Sequence, residues 1–304
     1  MPRLIDPGDG DAIELADLVD TLETLRFDPH DEDGFAALGP LLARLGRNRR
    51  FLADLAIAEL KTRCRAQSDA SSYGAQVFLL RAPDGRFAIR ANFWPAADDA
   101  VTRASGPAAF FYGMAHDHNF PFLTYGYSGP GYWSDYYELG EPPVGIAGAP
   151  ARLTFAGRER LEPGRLMLYR RHRDIHAQLP PDAFSVSLNI LGQHPTHRWT
   201  DQYRFDIAAG TVAEELSHAP AEALLAIGAQ LSANGRDLAE SFARRHPAPR
   251  MRARALIALA SATAEPDRRA ELLARGADDA DPRVAAYARR ALDQAARAGA
   301  RTGE

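Results

Sequence analysis

Three histidines, His116, His118 and His176, are the residues of this chain whose type and spacing suit metal chemistry. A neutral imidazole can give one ring nitrogen to a divalent cation while a hydrogen bond orients the other, so histidines converging from separate segments build a metal site. His116 and His118 stand two apart in GMAHDHNFPFLTYGYSGPGYWSDYYEL. At the start of a strand, a period of two places both rings on one face and turns Asp117 away. A third ligand must come from a distant strand. In RLEPGRLMLYRRHRDIHAQLPPDAFSVSLNIL, His176 lies just ahead of a run that alternates clearly.

Other groups near these motifs have alternative readings. His172 lies four residues before His176 and offers a fourth ligand, but its arginine neighbours place it on a solvated loop. Glu138 offers a ligand or a general base, against the simpler reading of a strand-end carboxylate facing water. Tyr125, Tyr127, Tyr132, Trp133, Tyr136 and Tyr137 crowd one stretch, and alternation sends about half of such rings inward. Tyr125 or Tyr127 is read as donating a proton or hydrogen bond to bound substrate. His172-Arg173-Asp174 imitates a kinase catalytic loop, but Leu179 stands where the asparagine belongs and no glycine-rich nucleotide loop precedes it. Read as the His-x-Asp of a 2-oxoglutarate oxygenase, it lacks a late barrel histidine. Cys64 is the only cysteine, which excludes an internal disulfide and a thiolate zinc site within the chain.

These residues need a rigid frame, and residues 76–207 read as one. VFLLR, RFAIRANFW, AAFFYG, FLTYGY, GYWSDYYEL, ARLTFAG, RLMLYR, SVSLNIL and YRFDI are short strand-like runs separated by turn residues, as in a sandwich or barrel. Ala82-Pro83-Asp84-Gly85 has the chemistry of a tight hairpin turn. Residues 11–66 carry apolar side chains at helical spacing, predicting three helices broken at Pro29 and Gly46. The small, polar RAQSDASSYG reads as a linker. After residue 208 the chain is helical again, and DRRAELLARGADD with DPRVAAYARRALDQAARA suggests stacked pairs of the HEAT kind. The expected division is a helical segment over 1–72, a barrel over 73–208 and a helical module over 209–304.

With 304 residues, 46% apolar and 25% charged, the chain is long enough for two or three units. A net charge of -4 provides no positive field for a phosphate backbone, so nucleic acid is disfavoured. The acidic start lacks a signal-peptide pattern and no run of 18 apolar residues occurs, so neither export nor membrane spanning is expected. A cytoplasmic location follows as an expectation. Lys61 is the only lysine, and with the abundant alanine this arginine bias suggests a GC-rich bacterial genome.

Across roughly residues 77–191 the pattern resembles the cupin superfamily. Its first motif contains His-x-His, as in His116-Asp117-His118, and its second a Pro-Gly turn, a strand and a histidine, as in Pro163-Gly164, Leu166, Leu168 and His176. Within cupins it is most similar to thiol dioxygenases of the cysteine dioxygenase type. The glutamate ligand of many cupins is absent, since Phe122 and Leu123 occupy its positions, which leaves three histidines as the ligand set. The family's Ser-x-His-x-Tyr series is reduced to Ser187, Asn189 and Leu191, which argues against cysteine as substrate. The resemblance implies Fe(II), whose octahedral shell would keep open positions for substrate and dioxygen, although zinc, manganese or nickel accept the same ligands. It also implies an arginine for a substrate carboxylate, with Arg81, Arg86 and Arg90 as candidates. The expected protein is α+β, a central cupin β-barrel between N-terminal helices and a C-terminal HEAT-like module. Its expected activity is non-haem iron oxygenation of a small molecule or peptide side chain, with the C-terminal helices available to a protein partner. The rivals are a non-catalytic ligand- or peptide-binding cupin, predicting metal without oxygen consumption, and an isomerase, lyase or hydrolase on the same barrel, predicting anaerobic turnover.

Overall fold

The period-two runs fold as strands, and their pairing sets the frame for the histidines. The computed structural model describes residues 1–65, 67 and 76–302, with side chains as far as 297. The linker read at 65–74 falls largely on residues outside those described, as does the expected boundary at 72.

Two compact units are present: Met1–Gly140 with Arg152–His197, and Glu141–Ala151 with Arg198–Glu304. The first contains a six-stranded sheet of β1 (Arg3–Ile5), β2 (Val77–Arg81), β3 (Phe87–Trp94), β4 (Phe122–Ser128), β7 (Leu166–Tyr169) and β9 (Ser185–Gly192). Its order is β1-β7-β4-β9-β3-β2. A three-stranded sheet has β5 (Tyr132–Leu139) between β6 (Leu153–Leu161) and β8 (Asp174–Gln178). All eight residues of β9 are buried and the strand is paired on both sides, which is why SVSLNIL can be apolar on alternate positions and still hold Ser187 and Asn189 inside. In the β2–β3 turn the Asp84 carboxylate accepts the N–H groups of Arg86 and Phe87 at 2.9 and 3.1 Å, and Gly85 takes φ +91°.

Each face of the six-stranded sheet buries a separate cluster. One face packs Ile89, Leu123, Tyr125, Leu168 and Leu188 against helices α1 (Leu15–Thr24), α2 (Glu32–Ala36), α3 (Gly39–Arg47) and α4 (Phe51–Lys61). Leu18 and Leu22, one helical turn apart, are the fully buried stripe of α1. Gly46 allows α3 to approach the sheet, because a Cβ there would lie 2.1 Å from the Tyr125 ring. The four helices replace the expected three because residues 37–38 interrupt the middle one, and the third break falls after Gly46, at 48–50. The opposite face and the three-stranded sheet share Ala88, Trp94, Phe122, Tyr132, Tyr136, Met167, Tyr169 and Leu191.

Several local expectations are corrected. The run AAFFYG is not a strand: Pro107 opens a 3-10 turn, Pro107–Phe110, and Phe111 takes the left-handed φ of +60°. A short helix, α5 (Ala100–Ser105), precedes it. Segment 211–215, read as helical, forms strand β11 (Thr211–Glu215) paired with β10 (Tyr203–Asp206) in the second unit.

The second unit continues with α6 (Pro220–Leu231), α7 (Ala233–Arg245), α8 (Pro249–Ala262), α9 (Pro266–Ala277) and α10 (Pro282–Thr302). Each of α6, α8, α9 and α10 begins at a proline, whose fixed φ suits the first turn and whose missing N–H is not needed there. Helix α8 supplies both apolar clusters of this unit, through Met251, Ala255 and Leu259 to one and Ala253, Leu256 and Ala260 to the other. No helix among the described residues is long and apolar enough to cross a membrane.

Candidate metal centre

His116 and His176 meet through their backbones, each N–H donating to the other's carbonyl at 3.0 Å in an isolated antiparallel bridge. That pairing extends the edge of β8, so His176 lies within a strand, whereas the sequence placed it ahead of one. His116 and His118 lie in an irregular segment, because Pro121 delays β4 until Phe122. The segment still brings both rings to His176, with centroids 4.6 Å (His116) and 5.2 Å (His118) from it and 5.0 Å from each other. One ligand nitrogen from each residue lies within 4.8 Å of the others, a group that can hold a metal ion.

The ring nitrogens are assigned by their partners. Nδ1 of His116 lies 2.8 Å from the Met114 carbonyl, so it carries the proton and leaves Nε2 for a cation. His176 is fully buried, and its Nε2 has no hydrogen-bond partner; the same is true of Nδ1 of His118. Such orphaned nitrogens cost about 1–3 kcal/mol each when nothing meets them, and a divalent metal satisfies both at once. The residues therefore fit the ion. Burial lowers the pKa of all three imidazoles, well below the usual value for His118 and His176, and the charge of Arg90 adds to the effect at His116 and His118. All three are neutral near pH 7, the form that binds metal.

Aromatic side chains wall the cluster. Phe122 contacts the His118 ring at 4.8 Å and stacks on Tyr169 at 4.4 Å, and Tyr169 meets His176 edge-on at 4.8 Å. The Tyr169 and Tyr136 hydroxyls share a buried hydrogen bond of 2.7 Å, and burial raises both phenol pKa values. Sequence reading did not single out either hydroxyl. On β7 every residue is buried, so no polar alternation marked Tyr169 as facing inward.

The remaining site candidates lie elsewhere or at the margin. Tyr125 and Tyr127 belong to the cluster under the N-terminal helices, on the sheet face away from the histidines, and the Tyr127 hydroxyl donates to the Asn48 carbonyl. Glu138 is exposed and pairs with the terminal amine at 3.1 Å, which lowers its pKa. Arg81 is engaged at the hairpin by Glu23 at 2.7 Å and Asp84 at 3.1 Å. Arg90 has the same parity on β3 as Ala88 and Trp94, whose side chains lie in the inner cluster. His172 takes φ +55° and its Nδ1 lies 2.7 Å from the buried Asp117 carboxylate, while its N–H donates to the His118 carbonyl. It thus fastens the His-x-His segment from behind and is not part of the three-histidine group.

A second set of histidines controls acid stability. His197 lies with its Nε2 3.0 Å from Nε2 of His30, and burial, followed by the neighbouring His30 and Arg171, pushes its pKa down to about 4. The unfolded chain holds that proton from about pH 6.5 downward and the folded chain does not, so acid favours unfolding. Stability is expected to fall by about 3 kcal/mol between the two values, and His197→Gln should remove that part of the slope in urea titrations at pH 7.5 and 4.5.

No family model and no curated protein matches the chain. Among solved structures it is similar to a DMSP lyase from Ruegeria pomeroyi at 11% identity, over 66% of this chain and 80% of that one, with a TM-score of 0.25. It is also similar to a cupin protein from Bacteroides fragilis at 10% identity, over 41% and 81%, TM-score 0.23. A cupin-like protein from Thermotoga maritima aligns at 13% identity, over 45% and 85%, TM-score 0.21. Likenesses at this level transfer no residue role and no substrate.

Proposed function

We propose that this chain is a metal-dependent enzyme of the cupin kind, its two facing sheets forming the barrel, in which His116, His118 and His176 hold Fe(II) for oxidation of a small molecule or peptide side chain by dioxygen. The observation that carries this reading is the unpartnered Nε2 of fully buried His176 beside two other neutral imidazoles. The ion would supply Lewis acidity and open coordination positions for substrate and dioxygen. Arg90 would orient a substrate carboxylate, and Phe122, Trp94 and Tyr169 would exclude water. An oxygen electrode tests this on Fe(II)-loaded protein with small carboxylic acids and thiols. Uptake that requires one substrate supports the reading, and metal-bound protein that turns over only without oxygen consumption counts against it.

One observation favours a redox-neutral second reading. The Tyr169 hydroxyl, hydrogen-bonded to Tyr136 and beside His176, stays protonated because burial raises its pKa, and it would donate a proton or hydrogen bond from its phenolic oxygen. In an elimination or isomerisation that proton would go to the oxygen on which negative charge develops, and Zn(II) would serve as well as Fe(II). Tyr169→Phe is then expected to lower kcat by about a hundredfold with metal content unchanged. An unaltered kcat would remove the hydroxyl from the chemistry.

The C-terminal helices are proposed as a HEAT-type surface for an extended peptide or protein partner. Leu224, Ile227 and Leu231, exposed at helical spacing on α6, support that proposal.

A further inference from the structure

A cavity of 260 Å³ opens on the first unit, away from His116, His118 and His176, with Arg170, Arg171, Arg173, His30 and Glu32 around an apolar floor of Phe35 and Leu168. Strand β7 separates it from the metal centre. Leu168 belongs to the cluster beneath the N-terminal helices, and the next residue, Tyr169, belongs to the inner cluster beside His176. The cavity is therefore on the opposite face of the sheet.

The charges in this cavity do not cancel. Arg170 is neutralised by the buried Asp174, which it grips through Nε and Nη2 at 2.9 and 2.7 Å. Glu32, the acidic lining residue, faces Arg3 at 3.6 Å. Arg171 and Arg173 have no carboxylate within ion-pair distance among the described residues, and the neighbour of Arg171 is the neutral acceptor Nε2 of His30 at 3.1 Å. His30 adds no charge of its own near pH 7, since burial and then the charge of Arg171 lower its pKa. Two uncompensated guanidiniums over an apolar floor suit a doubly charged oxyanion, because a guanidinium fork matches phosphate or carboxylate oxygens.

We propose that this cavity is a second ligand site, binding a small dianion such as a phosphate monoester or a dicarboxylate through Arg171 and Arg173. The site is coupled by the chain to the metal centre. The same turn carries His172, which holds Asp117 between His116 and His118, and runs on into β8 and His176. A bound anion would therefore fix the backbone that fastens two of the three ligands.

Isothermal titration of the full chain at constant ionic strength, with inorganic phosphate and succinate as probes and chloride as the reference, tests the proposal. About one saturable site per chain is expected for at least one probe. Arg171→Gln and Arg173→Gln should each weaken it about fivefold, and Glu32→Gln should tighten it about threefold by removing a like charge. His116→Ala, which disables the metal centre, should bind the anion as the parent does when both are titrated metal-free, so failure of the metal reading and failure of this one are separable. No saturable binding by either probe, loss of binding in His116→Ala, or indifference to all three charge variants would overturn the assignment.

Discussion

Replacing His176 by alanine is expected to weaken Fe(II) binding by more than about a hundredfold, beyond what loss of an outer partner causes. The reason is specific to its place: His176 is fully buried, its Nε2 meets nothing else, and its strand is fixed through two backbone hydrogen bonds to His116. Among the described residues neither alternative weighed for the site can take over, since Glu138 is exposed and His172 is turned to Asp117. His172→Ala should cost about tenfold or less, because it loosens the His-x-His segment without removing a ligand. Competition with a chromophoric chelator under anaerobic conditions measures both. Equal losses in the two variants would mean that the ligand set is wrongly assigned.

Arg250→Ala is expected to destabilise the second unit by about 3–5 kcal/mol, lowering its Tm by more than about 10 °C. The Arg250 side chain is 3% exposed and is met by Asp201 at 3.0 Å, by Glu215 at 3.3 Å and by Glu222. Asp201 and Glu215 are themselves nearly excluded from water. Removing the guanidinium leaves carboxylates buried around a missing cation, and burial, with repulsion from Asp201, already raises the pKa of Glu215. Arg283 and Arg254 remain to share the load, on Asp201 and on Glu215 with Glu222. Adding Glu215→Gln to the variant should therefore restore part of the loss, since Arg283 then balances Asp201 and Arg254 balances Glu222. Thermal and urea unfolding of the single and double variants measure this. A single variant as stable as the parent would mean that water reaches the network.

The main strands and the three-histidine cluster were readable in the sequence for the same reason: their cues are local. VFLLR, RFAIRANFW and SVSLNIL kept their strands because alternation and the Asp84-Gly85 turn act within a few residues. His-x-His and His176 were found because imidazole is scarce and its chemistry narrow. Cues that depend on register were not readable. Tyr125 and Tyr127 were chosen from a dense aromatic run, but Pro121 resets the phase before β4 and turns them beneath the helices. Tyr169 lay in LMLY, where both faces are buried and nothing distinguishes inward from outward. The short strands RLI and DIHAQ escaped notice because three to five residues carry too little periodicity to separate strand from loop. Glu138 looked suitable on chemistry alone, but its side chain is exposed at the strand end, which residue type does not reveal.

Three neutral histidines, His116 and His176 buried and His118 half-buried, are proposed to hold one open metal ion. Elemental analysis of tag-free protein after anaerobic iron loading, followed by nitric oxide and electron paramagnetic resonance, tests it most directly. About one iron per chain with a nitrosyl signal, both absent in His176→Ala, is the predicted result. Protein that takes up neither iron nor another divalent metal would contradict the account and make the three histidines structural.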